Sequence, residues 1–284
     1  MIYAVTGSTG ALGSLAIEHL KKQGIPAKDI VAIARNPEKA KSLTAAGVTV
    51  RIADYEKPQT LREALHGVDR LLLISSSEVG KRAAQHQAVI DAAKATGVKF
   101  VVYTSITRAD TSKNPLAPEH KATEAALKSS GLKYALVRNN WYHENYLDDV
   151  KGAKQYGQVA FAAGEGLVAS ATRSDYAEAA VRVLTGNGNE GKIFELGGAA
   201  WNFHDLAKAA SARWGKPVVY RSLTSSERLE QLKGFGLPEP VAAFVTSLDE
   251  GIKAGTLESK ATDLTTILGR APTSLADWVK SLPE

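Results

Sequence analysis

Ile2-Tyr3-Ala4-Val5 runs straight into Thr6-Gly7-Ser8-Thr9-Gly10-Ala11-Leu12-Gly13, an apolar run followed by glycines three apart. A strand that turns this sharply into a helix aims free backbone N–H groups and the positive helix end at one point, a setting for a pyrophosphate. Gly7 lets the chain turn, Gly10 lets backbone approach phosphate oxygens, and Gly13 lets the helix pack closely on the strand. A tight turn without a ligand would also use glycines. The amphipathic stretch Leu12 to Lys22 that follows favours the nucleotide reading.

Beyond this loop, strand and helix alternate. Strand candidates are Ile2–Val5, Ile30–Ala34, Val48–Ile52, Leu71–Ile74, Phe100–Tyr103, Tyr134–Val137 and Ile193–Leu196, mostly apolar as strands covered on both faces are. Arg82 to Thr96 carries a helical pattern and stops at Gly97. The alternation predicts an α/β fold, a doubly wound parallel Rossmann sheet with its ligand crevice at the C-terminal strand ends. Residues 1–139 plus about 174–198 are expected to form this Rossmann domain. Residues from about 140–173 plus 199–284 depart from strict alternation and are expected to form a second, smaller C-terminal α/β domain for substrate. Within it, Asn202 to Leu206 reads as a capped helix start, and Gly234 to Pro238 as a mobile turn and candidate lid.

With 284 residues the chain can bury a large core. It contains no cysteine, which excludes disulfides, thiolate metal sites and cysteine nucleophiles. Met1 leads directly into the first strand, and no apolar run approaches the roughly 20 residues of a membrane helix. A cytoplasmic protein with no membrane contact is expected. The formal charge is +5, but 35 basic and 30 acidic residues are interspersed, a solvated surface and not a nucleic-acid footprint. None of the six histidines has metal-ligand spacing to another or to an acidic pair, so no metal is expected.

The second strand ends in Arg35, where an acidic residue would usually hold an unphosphorylated ribose. A guanidinium offers a bidentate fork to a 2′-phosphate and no acceptor for a ribose hydroxyl. Lys39 or Lys41 could add a second charge, and NADPH is favoured over NADH. Asp54 and Tyr55, after the third strand, stand where adenine would lie, although Asp54 also suits an exposed turn. Ser75, Ser76 and Ser77 end the fourth strand and would let backbone pass close to the middle of the cofactor; serines also end strands without such a role.

These segments, together with Ala34 to Ala40, Leu71 to Gly80 and Arg138-Asn139-Asn140-Trp141-Tyr142-His143-Glu144-Asn145-Tyr146, resemble the NmrA-like atypical short-chain dehydrogenase/reductases. Within that family the chain looks most like the type 2 NAD(P)H:quinone oxidoreductase branch, with the triphenylmethane dye reductases nearby. The resemblance reaches the closing helix around Thr273 to Val279. It implies NADPH in the crevice and a quinone-like acceptor between two domains. Carried over, the family's cofactor contacts fall on Gly7, Ser8, Thr9, Gly10, Ala11, Leu12, Arg35, Ser75, Ser76 and Ser77, with the nicotinamide side on Arg138, Asn139, Asn140, Trp141, Tyr142 and His143. Asn140 replaces an expected glycine and His143 an expected serine, changes that bear on pocket shape.

Ordinary short-chain dehydrogenases use a tyrosine with a lysine four positions on as their acid. None of the nine tyrosines here has that lysine. After the fifth strand, His120 and Glu124 share a helix face, an arrangement that suits either an acid relay or a plain surface pair. A quinone needs little acid, because hydride transfer makes it aromatic and leaves a phenolate that water can protonate. Candidate catalytic residues are Asn139, Tyr142, Ser105 and His120. Trp141, Tyr142 and Tyr146 offer faces for stacking, or ordinary packing at a domain junction, and Asn139 and Asn140 offer amide donors. The expected partner is a small-molecule quinone, with a second copy of the chain as a candidate. The alternatives are an NADP(H)-sensing NmrA-like regulator and a reductase of triphenylmethane-type dyes.

Overall fold

A computed structural model describes residues 1–283. Its strands are β1 (Tyr3–Val5), β2 (Ile30–Ala34), β3 (Thr49–Ile52), β4 (Arg70–Leu73), β5 (Phe100–Ile106), β6 (Tyr134–Asn139), β7 (Gln158–Phe161), β8 (Ile193–Leu196) and β9 (Val219–Ser222). Its α-helices are α1 (Ala11–Lys22), α2 (Lys41–Ala45), α3 (Pro58–Leu65), α4 (Arg82–Ala95), α5 (Ala117–Ser130), α6 (Leu147–Tyr156), α7 (Arg173–Thr185), α8 (Phe203–Trp214), α9 (Ser225–Gly234), α10 (Glu239–Lys253), α11 (Asp263–Leu268) and α12 (Leu275–Ser281). Each of the seven expected strands is present, with ends shifted by a few residues.

The main sheet has the order β3-β2-β1-β4-β5-β6-β8 and every pairing in it is parallel. Its apolar residues alternate between two cores. Val5, Leu72, Val102 and Val137 face the side covered by α1 and α7. Ala4, Leu71, Tyr103 and Leu136 face the side covered by α3, α4 and α5. Burial on both faces explains the unbroken apolar runs of β1, β2 and the Phe100–Tyr103 part of β5, while the outermost β3 and β8 are partly exposed. The order reverses between β1 and β4, which opens a crevice above their C-terminal ends.

A second unit is built around the parallel pair β7 and β9. Tyr146, Phe161, Trp201, Phe203 and Trp278 form its core. Neither strand was among the candidates: β9 is largely exposed and carries no apolar period, and β7 is a short apolar run inside a stretch that breaks the strand–helix alternation. Asn202 caps α8 as expected, in a reciprocal box with Asp205. α11 packs on α7 and β8, and its Leu264 and Leu268 join the main core.

Candidate active site

A cavity of about 590 Å³ runs across the C-terminal ends of β2, β1, β4, β5 and β6. Its middle is the glycine loop. Gly7 sits at φ +57°, a backbone state that favours glycine, and its carbonyl accepts from the Gly10 N–H at 2.9 Å. A Cβ on Gly13 would lie 2.3 Å from that carbonyl oxygen and 2.8 Å from the Ser8 Cα. Only glycine at position 13 lets α1 start this close to β1. The helix has no side-chain cap and no acidic residue in its first turn, so its first N–H groups are left for a ligand. That cradle fits a diphosphate. Thr9, Gly10, Ala11 and Leu12 line the cavity as expected, whereas Ser8 is fully buried with both its N–H and hydroxyl donated to the Ile33 carbonyl.

Arg35 marks one end of the cavity, with Asn36, Lys39, Asp54 and Tyr55 beside it. Its side chain is 69% exposed and its Nη1 donates to Glu78 Oε1 at 2.7 Å across the cavity mouth. The bond and charge of Glu78 raise the guanidinium above its ordinary value, and Arg35 in turn holds the Glu78 carboxyl below its own. Asp54 Oδ1 accepts from the Glu56 N–H, which ties that side chain into its turn. Ser75, Ser76 and Ser77 line the floor. Their backbone is fixed from behind. The Ser75 N–H donates to Thr104 Oγ1, the Ser76 N–H to His86 Nε2, and Arg82 Nε to the Ser76 carbonyl at 2.6 Å.

At the other end, Ser105, Ile106, Leu116, His120, Asn139, Asn140, Trp141 and Tyr142 form the wall. Asn139 Nδ2 donates to the Tyr142 hydroxyl at 3.3 Å, and Asn139 Oδ1 is buried without a partner. An orphaned carbonyl of this kind suits an amide donor on a ligand. The Arg173 guanidinium lies 5.1 Å from the Tyr142 ring centre, and Tyr176 meets that ring edge-on. Burial raises the Tyr142 phenol above its ordinary value, against the opposing Asn139 bond and Arg173 charge. Asn140 is held by donating to the Leu257 carbonyl and accepting from the Trp141 N–H.

Several expected residues lie elsewhere. Arg138 does not line the cavity: it forms a buried ion pair with Glu124 at 2.7 Å and reaches Glu195 at 2.9 Å. Burial lowers its pKa, but bonds to those two carboxylates raise it by more. Glu124 also accepts from the Ser105 hydroxyl at 2.7 Å, so it is committed to Arg138 and Ser105 and makes no bond to His120. The His120/Glu124 relay therefore does not form. His143 is a strut between segments, donating Nε2–H to the Thr273 carbonyl and accepting from Ser170 at Nδ1. Burial lowers its pKa to about 4. Tyr146 is packed in the second core among Phe161, Trp201 and Phe203, away from the cavity wall. The Gly234 to Pro238 turn joins α9 to α10 and contributes nothing to the cavity.

Glu78, Arg82 and Leu116 line the cavity but were not among the candidates. Glu78 follows the serine run directly, and Arg82 opens a helix, so position alone could have pointed to both. Leu116 precedes α5 without any chemical signature. Among the described residues no cluster of three or more His, Cys, Asp or Glu side chains could hold a metal, and no helix is long and apolar enough to cross a membrane.

A parallel sheet with a glycine cradle at its switch point, a guanidinium at one end and an amide-and-aromatic wall at the other defines a dinucleotide-binding protein of the Rossmann type. The family model described as NAD(P)H-binding matches residues 7–187, and the chain belongs to that family. It is 49% identical over 280 residues to quinone oxidoreductase 2 of Escherichia coli K12, covering 98% of both chains. The crystal structure of an NADPH-dependent quinone oxidoreductase from E. coli complexed with NADPH superimposes with a TM-score of 0.94 at 49% identity, covering 98% of each chain. A triphenylmethane reductase from Citrobacter sp., complexed with NADP(H), gives a TM-score of 0.94 at 37% identity over 99% of each chain. Both branches expected from the sequence motifs are thus among its relatives.

Proposed function

We propose that the chain is an NADPH-dependent quinone reductase. The observation that carries this reading is the 49% identity to quinone oxidoreductase 2 along 98% of both chains. Bound NADPH supplies a hydride from its nicotinamide ring to the acceptor. The free N–H groups of Ala11 and Leu12 hold the diphosphate, Arg35 and Lys39 the 2′-phosphate, and Ser75 to Ser77 the middle of the molecule. Asn139 Oδ1 takes an amide hydrogen of the nicotinamide, which fixes the ring against Ser105 and Tyr142. Trp141 and Tyr142 present flat faces to the acceptor and keep water from the reacting carbon.

No Tyr/Lys acid stands at this end of the cavity; Lys39, at the Arg35 end, is the one lysine that lines it. That gap suits an acceptor that becomes aromatic on reduction, because the chain then needs only to position two rings. The second unit, less α11, is the substrate half in this reading, and a cytoplasmic setting and a homodimer accompany it as proposals. Steady-state NADPH oxidation with and without a simple benzoquinone tests the function. Quinone-stimulated oxidation is expected. Tight NADPH binding with no stimulation by quinones or by a triarylmethane dye would make the chain a cofactor sensor instead.

A further inference from the structure

Tyr103 is fully buried on β5, and its hydroxyl lies 2.7 Å from His120 Nδ1 on α5. Thr123 also stands beside that hydroxyl, but outside the geometry of a full hydrogen bond. A phenol carries one hydrogen, and leaving it without an acceptor in a dry interior is costly. The Nδ1 lone pair of His120, at 2.7 Å, is the better-placed acceptor for it. The Thr123 hydroxyl donates to the Glu119 carbonyl and accepts from His86 Nδ1, so its hydrogen is not available to the phenol. His86 is itself fixed, because its Nε2 accepts from the Ser76 N–H.

A neutral imidazole that accepts at Nδ1 carries its proton on Nε2. His120 lines the cavity, and no hydrogen bond to its Nε2 is present among the described residues. Burial first, then the Arg82 charge and His86, hold its pKa down at about 3. The charged groups beside it on its own helix are Glu119, Lys121 and Glu124, and Glu124 is bound to Arg138. Held down in this way, the ring donates as a neutral imidazole.

Resting on the quinone-reductase reading, we propose that Tyr103 is a positioning residue that fixes His120 as the Nε2–H tautomer, so that His120 donates a hydrogen bond to the carbonyl oxygen of the acceptor. The contact tightens as negative charge grows on that oxygen. No bond to hydrogen breaks at Tyr103, whose phenol burial pushes far above its ordinary value. The proton that completes the hydroquinone comes from water. This assigns the polar anchor for the acceptor, and it makes a carbonyl at ring-edge reach of α5 the feature a good substrate must carry.

Two-bond nitrogen–proton NMR spectra of the 15N-labelled protein read the tautomer directly and need no cofactor or acceptor. The His120 resonances are expected to show a protonated Nε2 and an acceptor Nδ1, and Tyr103→Phe should lose that single tautomer. A protonated Nδ1 in the unmodified protein would overturn the proposal. Kinetics supply the second arm. His120→Leu should lower kcat/KM for a benzoquinone about tenfold with NADPH affinity unchanged, and His120→Gln, which keeps an N–H donor, should recover most of it. Equal loss in both variants would overturn the donor role. The kcat/KM profile should be flat between pH 6 and 8, and an inflection there that vanishes in His120→Gln would show a charged acid instead. If the unmodified chain reduces no quinone, the functional reading fails while the NMR result still decides the tautomer.

Discussion

At the phosphate end, the middle of the cavity is lined by the short stretch Gly7 to Gly13, with Ser8 turned away. At the acceptor end the wall is side chains, drawn from β5, the turn before α5, α5 itself and β6. The first is fixed by local geometry, as the 2.3 Å approach to Gly13 shows. The second is fixed by partners far apart in sequence, such as Asn140 with Leu257 or His143 with Thr273. One end can therefore recognise a diphosphate almost regardless of its neighbours, while the other can change substrate through single substitutions.

Gly13→Ala should break the phosphate end most severely. The added methyl meets backbone, so α1 must shift, costing about 1–3 kcal/mol of stability and weakening NADPH on the order of 100-fold. Thermal melting and calorimetry measure the two effects, and a variant with full affinity would show that the cradle is not used. Arg35→Glu comes next. It should weaken NADPH about 100-fold and leave NADH nearly unchanged, whereas equal loss for both would refute a 2′-phosphate contact.

Tyr142→Ala acts at the opposite end and should lower kcat/KM for the acceptor about tenfold, with cofactor affinity retained. Loss of NADPH first would mean that the two ends have been assigned the wrong way round. The smallest effect belongs to Glu78→Gln. Glu78 competes for Arg35, so removing its charge should tighten NADPH by less than about fivefold, as expected for an exposed pair. Weaker NADPH binding would show that Glu78 instead orients Arg35 for the phosphate.

The same contrast explains what the sequence made legible. The glycine loop, Arg35 and Ser75 to Ser77 could be read because each sits at the end of an apolar strand, and strand ends in this sheet face the crevice. Asn139 and Tyr142 followed from their positions at the end of β6 and just beyond it. Arg138, His143 and Tyr146 belong to the same motif, yet their side chains turn toward Glu124, Thr273 and the second core. Which way a side chain leaves an irregular turn depends on elements far away in the chain. Tyr103 gave no signal at all, because a buried strand tyrosine reads as core until its partner on α5 is known.

The account depends on a phosphorylated dinucleotide lying across the β1–α1 junction. Titration calorimetry of the purified chain with NADPH, and separately with NADH, measures this without assuming any acceptor. Saturable binding of NADPH, clearly tighter than that of NADH, is the predicted result. No heat of binding from the folded protein, or a preference for NADH, would contradict it.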